Sequence, residues 1–461
     1  MKYSIIIFLV FSLQISSAQV FEIDTIQWSG PSENRINLVI LPDGYQSNEL
    51  NQFINDAVNF SEILFTASPY KEYKAFFNVI AIQVPSNESG ASHPGTATGE
   101  NDPFHPISMV DNYFGSTFDL GNIHRLLGPT KFSALNTVLA NNFPTYDQVL
   151  ILVNSPHYGG SGGTYATTSL DSRSSAIAIH ELGHSFASLK DEYYAGDNYA
   201  AEDLNMTKDV DPENIRWKNW LDIDDIGIYQ HCCTGNSSEW YRPHQNCKMR
   251  RLSAPFCSVC KQATIERIHS LVDFIDSYSP DNVSSLDFES PMTFSTQMVE
   301  PEPNSLNTEW ILNGVVLEDD AAALSIEEND LIPGNNQLQV IVRDTTTLLK
   351  VDNHHSFHYS TIVWNIKAST VSTNKISSNA LRLKLYPNPN QDVLYFDFAK
   401  QIEDDYQVII SDVSGNQIII KEINHLNQKP KIILGQLPAG TYLVNFILNN
   451  GSIISRKIIK Q

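Results

Sequence analysis

The chain has 461 residues and carries 52 acidic against 30 basic side chains, a formal charge of -22. That length exceeds what one ordinary core organises, so two to four domains are expected. The negative balance repels nucleic acid and anionic lipid and removes both from the candidate partners.

The chain opens with Lys2, an apolar run from Ile5 to Leu13, and Ser16-Ser17-Ala18 before Gln19. This reads as a signal peptide over 1–18, cleaved after Ala18. The apolar run is shorter than the roughly 20 residues a spanning helix needs, and no later segment is apolar enough, so no transmembrane segment is expected in the mature chain.

Ile36 to Leu41 is an apolar run closed by Pro42-Asp43-Gly44, followed by Ser47 and a segment with Leu50, Phe53, Ile54 and Ala57. The pattern predicts strand, turn, N-cap and amphipathic helix. Phe76 to Val84 and Gln148 to Val153 are further runs of buried-strand length, the second leading into Tyr158-Gly159-Gly160-Ser161-Gly162-Gly163. From Ser174 the period becomes helical, with Ile177, Leu182, Phe186 and Leu189 for burial and Ser174 or Ser175 as cap. Alternating strands and helices predict a layered α/β domain. A last helix from about Ala263 to Tyr278 is expected to close it, giving a catalytic domain over 19–279.

Short alternating runs then predict a β-sandwich over 280–368, with turns at Asn313-Gly314 and Pro333-Gly334. A Ser/Thr-rich linker follows over 369–380. A second all-β module is expected over 381–461, from the runs Val393 to Phe398, Gln407 to Ile410, Gln417 to Ile420 and Tyr442 to Ile447.

The five cysteines, Cys232, Cys233, Cys247, Cys257 and Cys260, fall in one short stretch. In an exported chain the simplest count is two disulfides and one spare thiol. Cys257-x-x-Cys260 has a second use, structural zinc with two of the others, against which the oxidising compartment argues.

The chemistry sits at His180-Glu181-Leu182-Gly183-His184. Histidines four apart share one helix face and can meet at one zinc ion, and Glu181 beside the first can act as general base. Two histidines leave a third ligand to find. Asp191, eleven positions after His180, would lie about 16 Å along an unbroken helix, so the chain must bend after His184. Asp191 is the chosen ligand, with Glu192, His231 and His244 as the other candidates. The glycine-rich loop 158–163 reads as a cleft wall, because it lacks the spacing of a serine elbow and the ending of a phosphate loop. Asp222, Asp224 and Asp225 offer calcium only an unsupported acidic run.

From His180 through Lys190-Asp191-Glu192-Tyr193 the chain resembles the IgA-peptidase family of metzincin-like zinc metallopeptidases. Leu41-Pro42-Asp43-Gly44-Tyr45, Phe77-Asn78-Val79, Ser86-Asn87-Glu88-Ser89-Gly90 and Val153-Asn154 agree with it. The resemblance spans roughly Ile36 to Ile275. It implies a metzincin-like α/β fold with a mixed sheet and an active-site helix, followed by two all-β modules. It also implies one catalytic Zn2+ held by His180, His184 and Asp191, with Glu181 as base. The metzincin pattern bends through a glycine and takes its third ligand ten positions after the first histidine, where this chain has Ala187 and Lys190. Asn246-Cys247-Lys248-Met249-Arg250 looks like the methionine turn, with Met249 as a floor under the histidines, and Tyr193 or Tyr194 could stabilise an oxyanion.

The C-terminal region resembles the type A sorting domain of the type IX secretion route. It does so at Leu385-Tyr386-Pro387-Asn388-Pro389-Asn390, Ser411-Asp412-Val413-Ser414-Gly415, Leu437-Pro438-Ala439-Gly440-Thr441-Tyr442 and Arg456-Lys457-Ile458-Ile459-Lys460. Together these readings predict a secreted or surface-attached zinc endopeptidase whose partners are protein substrate and the secretion machinery. The competing readings are a surface binding protein with an inactive peptidase domain and a zinc amidase on cell-wall peptides. The family name fixes no substrate, which the cleft decides.

Overall fold

The computed structural model of the chain describes residues 19–97, 106–196, 200–232, 234–352, 358–368, 383–398, 405–413, 415–424, 430–448 and 453–461. The signal peptide over 1–18, the linker over 369–380 and Cys233 lie outside them. The described residues fall into two compact units. The first is drawn from Met1–Asp273, Val299–Ser305 and Thr346–Asp352, the second from Phe274–Met298, Leu306–Thr345 and Asn353–Gln461.

The first unit is built on a six-stranded mixed sheet of β1 (Glu22–Gln27), β2 (Ile36–Asp43), β3 (Phe77–Gln83), β4 (Gln148–Val153), β5 (Gly160–Ser161) and β6 (Ala166–Thr168). Its order is β1-β3-β2-β4-β6-β5. The four central strands are parallel, and β1 and β5 run antiparallel at the two edges. Four helices accompany it, α1 (Leu50–Leu64), α2 (Phe132–Asn142), α3 (Ser174–Ser185) and α4 (Ser258–Leu271).

β2 and β4 are buried along their whole length, which is why they read as continuous apolar runs without alternation. Val39, Leu41, Ile80, Ile82, Val149 and Ile151 pack with Leu135, Val138 and Leu139 of α2 in one core. The alternate residues, among them Leu38, Ile40 and Leu150, point to the other face and are equally buried. α1 packs on β3 and on α3, and α3 packs on β5 and β6, so the sheet edge and the histidine helix are in direct contact.

Asp43 ends β2 as a fully buried carboxylate that accepts from the backbone N–H groups of Phe114 and Ser116, both at 2.9 Å. Burial pushes its carboxyl above the usual range, against the pull of these bonds. Gly44 follows with φ 70, and a Cβ there would meet the Gly90 carbonyl oxygen at 2.0 Å. The segments 41–45 and 86–90 therefore meet at a point where only glycine fits.

Two helix expectations are corrected. α3 begins at Ser174, but neither serine caps it; the Asp171 carboxylate accepts from the Arg173 N–H at 2.9 Å. The last helix stops at Leu271, and Ile275–Ser279 is a strand paired antiparallel with Met292–Met298. The β-branched and aromatic residues there satisfy a helical period, yet cross-strand partners decide the outcome. The main stretch of the first compact unit ends at Asp273.

In the second unit, one five-stranded sheet takes the order Leu286–Asp287, Tyr359–Ala368, Gly334–Asp344, Leu306–Leu312, Val315–Asp319. A three-stranded sheet joins Ala323–Ile326, Met292–Met298 and Ile275–Ser279. Trp310 and Trp364, both fully buried, stack with ring centroids 5.7 Å apart. Asn313 and Gly314 both take positive φ, 51 and 84, as a tight hairpin turn requires. The C-terminal strands form a three-stranded and a four-stranded sheet around Leu394, Phe396, Val408, Ile410, Val444 and Phe446. Among the described residues no helix is long and apolar enough to cross a membrane.

Candidate metal centre

α3 carries His180, Glu181 and His184 on the face toward a cleft of about 780 Å³. Each histidine is oriented through its Nδ1. His180 Nδ1–H donates to the Lys248 carbonyl at 3.0 Å and His184 Nδ1–H to the Leu189 carbonyl at 2.6 Å. That arrangement leaves both Nε2 atoms as bare acceptors in the neutral rings.

The bend demanded after His184 is made at Ser188, which sits in the left-handed region at φ 57. Its N–H closes on the His184 carbonyl at 3.1 Å and the Leu189 N–H on the Gly183 carbonyl at 2.9 Å. The turn folds the chain back and brings Asp191 over the histidines. Asp191 Oδ1 lies 3.1 Å from His180 Nε2 and 3.2 Å from His184 Nε2, and the two Nε2 atoms are 3.2 Å apart. Bonds of about 2.0–2.1 Å in a tetrahedron set nitrogen and oxygen ligands about 3.3 Å apart, so this trio has the spacing a zinc ion imposes. Three acceptors this close repel one another unless a cation or protons lie between them.

The electrostatics follow from that geometry. Burial pushes Asp191 up, but hydrogen bonds and charge from His180 and His184 outweigh it and hold the carboxyl well below the usual range. Burial pulls His184 down, but the Asp191 carboxylate outweighs it and the ring is pushed up to about 9. Burial raises the Glu181 carboxyl, in part offset by the two histidines.

The other ligand candidates have other partners. Glu192 turns away from the histidines, its Oε1 accepting from Asn205 Nδ2 at 3.1 Å. His231 Nε2–H donates to the backbone carbonyl of Asp191 at 2.9 Å and so holds the ligand loop from behind. His244 Nδ1 accepts from the Asn246 N–H at 3.0 Å. Asp224 accepts from Ser258 Oγ at 2.7 Å, an ordinary hydrogen bond at the start of α4.

Met249 is fully buried, and its Sδ would stand 2.7 Å from a Cβ on Gly183, the residue between the two histidines. It therefore packs against the back of α3 as a floor. The glycine-rich loop forms one wall: a Cβ on Gly162 would meet Glu181 Oε2 and His184 Cβ, both at 2.8 Å. Tyr193 lines the cleft with its ring 6.3 Å from that of His180, whereas Tyr194 is more than half exposed and is not among the lining residues. Sequence reasoning missed Arg125. It lies outside every motif, yet it lines the same cleft, bonds the Tyr193 side chain and lowers the Glu181 carboxyl by its charge.

Among the described residues the expected disulfides are not formed. No disulfide joins Cys247, Cys257 and Cys260 to one another, and the Sγ atoms of Cys247 and Cys260 are 3.5 Å apart, well beyond a covalent S–S distance of about 2.05 Å. Cys247, Cys257 and Cys260 converge with Glu192 in one buried cluster, a placement that sequence spacing does not encode.

A mixed α/β domain whose helix, bend and loop gather two histidines and a carboxylate beside a half-buried Glu is the class of site found in hydrolases. Residues 24–228 match the family model described as IgA Peptidase M64, and residues 384–461 match the one described as Secretion system C-terminal sorting domain. The N-terminal region is thus similar to the M64 peptidases, and the chain ends in a type IX sorting domain that marks it as secreted or attached to the cell surface. None of the curated proteins matches it.

Solved structures similar to parts of the chain include dimeric latent PorU from Porphyromonas gingivalis, at 14% identity and TM-score 0.16 over 40% of this chain and 20% of that one. The chain thus spans about a fifth of that protein's length. A Bacteroides ovatus mixed-linkage glucan utilization protein, SGBP-B, matches at 8% identity and TM-score 0.19 over 40% of this chain and 47% of its own. Two fibronectin type III domains of chicken tenascin match at 14% and TM-score 0.15, over 39% and 99%.

Proposed function

We propose that the chain is a zinc-dependent endopeptidase that hydrolyses peptide bonds of extracellular proteins, with a metzincin-like catalytic domain over residues 19–273. The observation that carries this reading is the convergence of His180 Nε2, His184 Nε2 and Asp191 Oδ1 at 3.1–3.2 Å, with Glu181 on the same helix turn. A donor set of two neutral imidazoles and one carboxylate fits a catalytic zinc that keeps an open position.

His180, His184 and Asp191 would hold the ion. When bound, zinc polarises the scissile carbonyl and lowers the pKa of water at the open position. Glu181 takes the proton of the attacking water on its carboxylate and passes it to the leaving nitrogen; burial, which raises its affinity for that proton, suits it to both steps. Gly160 and Gly162 in the wall let the substrate backbone lie close to Glu181, because neither places a Cβ against it. Tyr193, with Arg125 behind it, faces the cleft where the carbonyl oxygen gains negative charge, and donates to it. The C-terminal sorting domain delivers the enzyme to type IX export.

The test is zinc content and cleavage of a peptide library by the secreted chain, intact and as Glu181→Gln. The expected result is zinc at the histidine site in both and cleavage only with Glu181. Undiminished cleavage by Glu181→Gln would remove the assigned base. Zinc without cleavage by the intact chain would favour a binding protein.

A further inference from the structure

We propose that Cys247, Cys257, Cys260 and Glu192 form a second, structural zinc site behind the catalytic centre. One ligand atom from each lies within 4.8 Å of every other, and all four residues are buried. Cys247 Sγ is 3.5 Å from Cys260 Sγ, which is in turn 3.4 Å from Glu192 Oε1. Bonds of about 2.3 Å to sulfur in a tetrahedron set thiolates about 3.8 Å apart, with carboxylate oxygens somewhat closer. A disulfide would use two of the three thiols and leave the third, with Glu192, facing a bond it cannot join. A soft divalent cation uses all four.

Independent observations point the same way. Glu192 is fully buried and its Oε2 has no hydrogen-bond partner among the described residues, so a lone-pair acceptor faces a dry interior. The surroundings are arranged for anionic ligands. The Cys257 N–H donates to Cys247 Sγ at 3.4 Å and Asn205 Nδ2 donates to Glu192 Oε1.

The site would tie together the parts that aim the catalytic ligands. Glu192 follows Asp191. Cys247 precedes Lys248, whose carbonyl fixes His180, and Met249, which supports Gly183. Loss of this ion would loosen both, so the catalytic zinc would be held less tightly.

The experiment is cobalt substitution of the full secreted chain, with metal counted by mass spectrometry. The histidine site has no sulfur ligand, so a thiolate-to-cobalt charge-transfer absorption reports the second site alone. Wild type should hold about two metal ions per chain and show that absorption. His180→Ala with His184→Ala should keep about one ion and the full absorption, whether or not the chain is a peptidase. Cys232→Ser with Cys233→Ser should keep it, and Cys260→Ser should lose it. A wild-type chain without the absorption, or a peptide map with a disulfide among Cys247, Cys257 and Cys260, would overturn the site. Both readings come from wild type, so a cysteine variant that failed to fold would not obscure them.

Discussion

Glu192 donates its backbone N–H to the Met249 carbonyl at 2.8 Å, so the residue after Asp191 is fastened to the residue that supports Gly183 between the two histidines. The bond joins the loop carrying the carboxylate to the turn beneath α3. Orientation of the histidines and position of the carboxylate are thereby set by one piece of backbone.

Asp191→Ala should empty the histidine site. The carboxylate bridges both Nε2 atoms, at 3.1 Å from His180 and 3.2 Å from His184. The expected loss in zinc affinity exceeds the roughly 10–100-fold that removal of an outer-shell partner gives, and equilibrium dialysis against a calibrated chelator measures it. Undiminished affinity would send the third-ligand search elsewhere.

Gly183→Ala is a case in which helix propensity and packing oppose each other. Alanine favours a helix interior by about 1 kcal/mol over glycine. Its Cβ would press on Met249 Sδ at 2.7 Å and on a Phe256 ring carbon at 3.3 Å, in a fully buried place where overpacking costs about 1–3 kcal/mol. Packing should win. Chemical denaturation should show a variant less stable by up to about 2 kcal/mol, with lower kcat/KM because His180 leans on the same turn.

Gly162→Ala should spare the fold and damage the site. Its Cβ would enter the cleft against Glu181 Oε2 and His184 Cβ, displacing the base while the core is untouched. The expected signature is an unchanged unfolding midpoint with kcat reduced at least about 100-fold, the scale of a misplaced proton-transfer group. A drop in midpoint with normal kcat would contradict it.

Asp119 supplies a pH test away from the cleft. Burial pushes its carboxyl up, but bonds from His124 Nδ1 at 2.9 Å and the Thr96 N–H at 2.8 Å outweigh it, and the carboxyl lies below its ordinary range. A pKa lower in the folded than in the unfolded state stabilises above the unfolded value of about 3.9, and the gain is lost as pH falls through the folded value. Asp119→Asn should therefore cost about 1–3 kcal/mol near pH 7 in urea unfolding, with the gap closing below about pH 4. A gap that widened on acidification would reverse the sign.

The sequence by itself determined the reactive helix, because spacing along one helix is a local property. Histidines four apart share a face whatever surrounds them, and Glu181 between them needs no tertiary partner to be noticed. The strands β2 and β4 were legible for a related reason: burial on both faces leaves unbroken apolar runs. Distance along the chain decided nothing about Asp191, Glu192, His231 and His244. Only the bend at Ser188, with the Glu192 to Met249 bond, sends the first of them to the histidines and the second to the cysteines. The end of α4 at Leu271 and the strand after it were likewise settled by a partner strand that begins at Met292. Cysteine use was misjudged from compartment alone, since a count of thiols does not say which of them converge on a common carboxylate. Local period is written in the sequence, whereas the meeting of groups tens of residues apart depends on the free energy of the whole packed core.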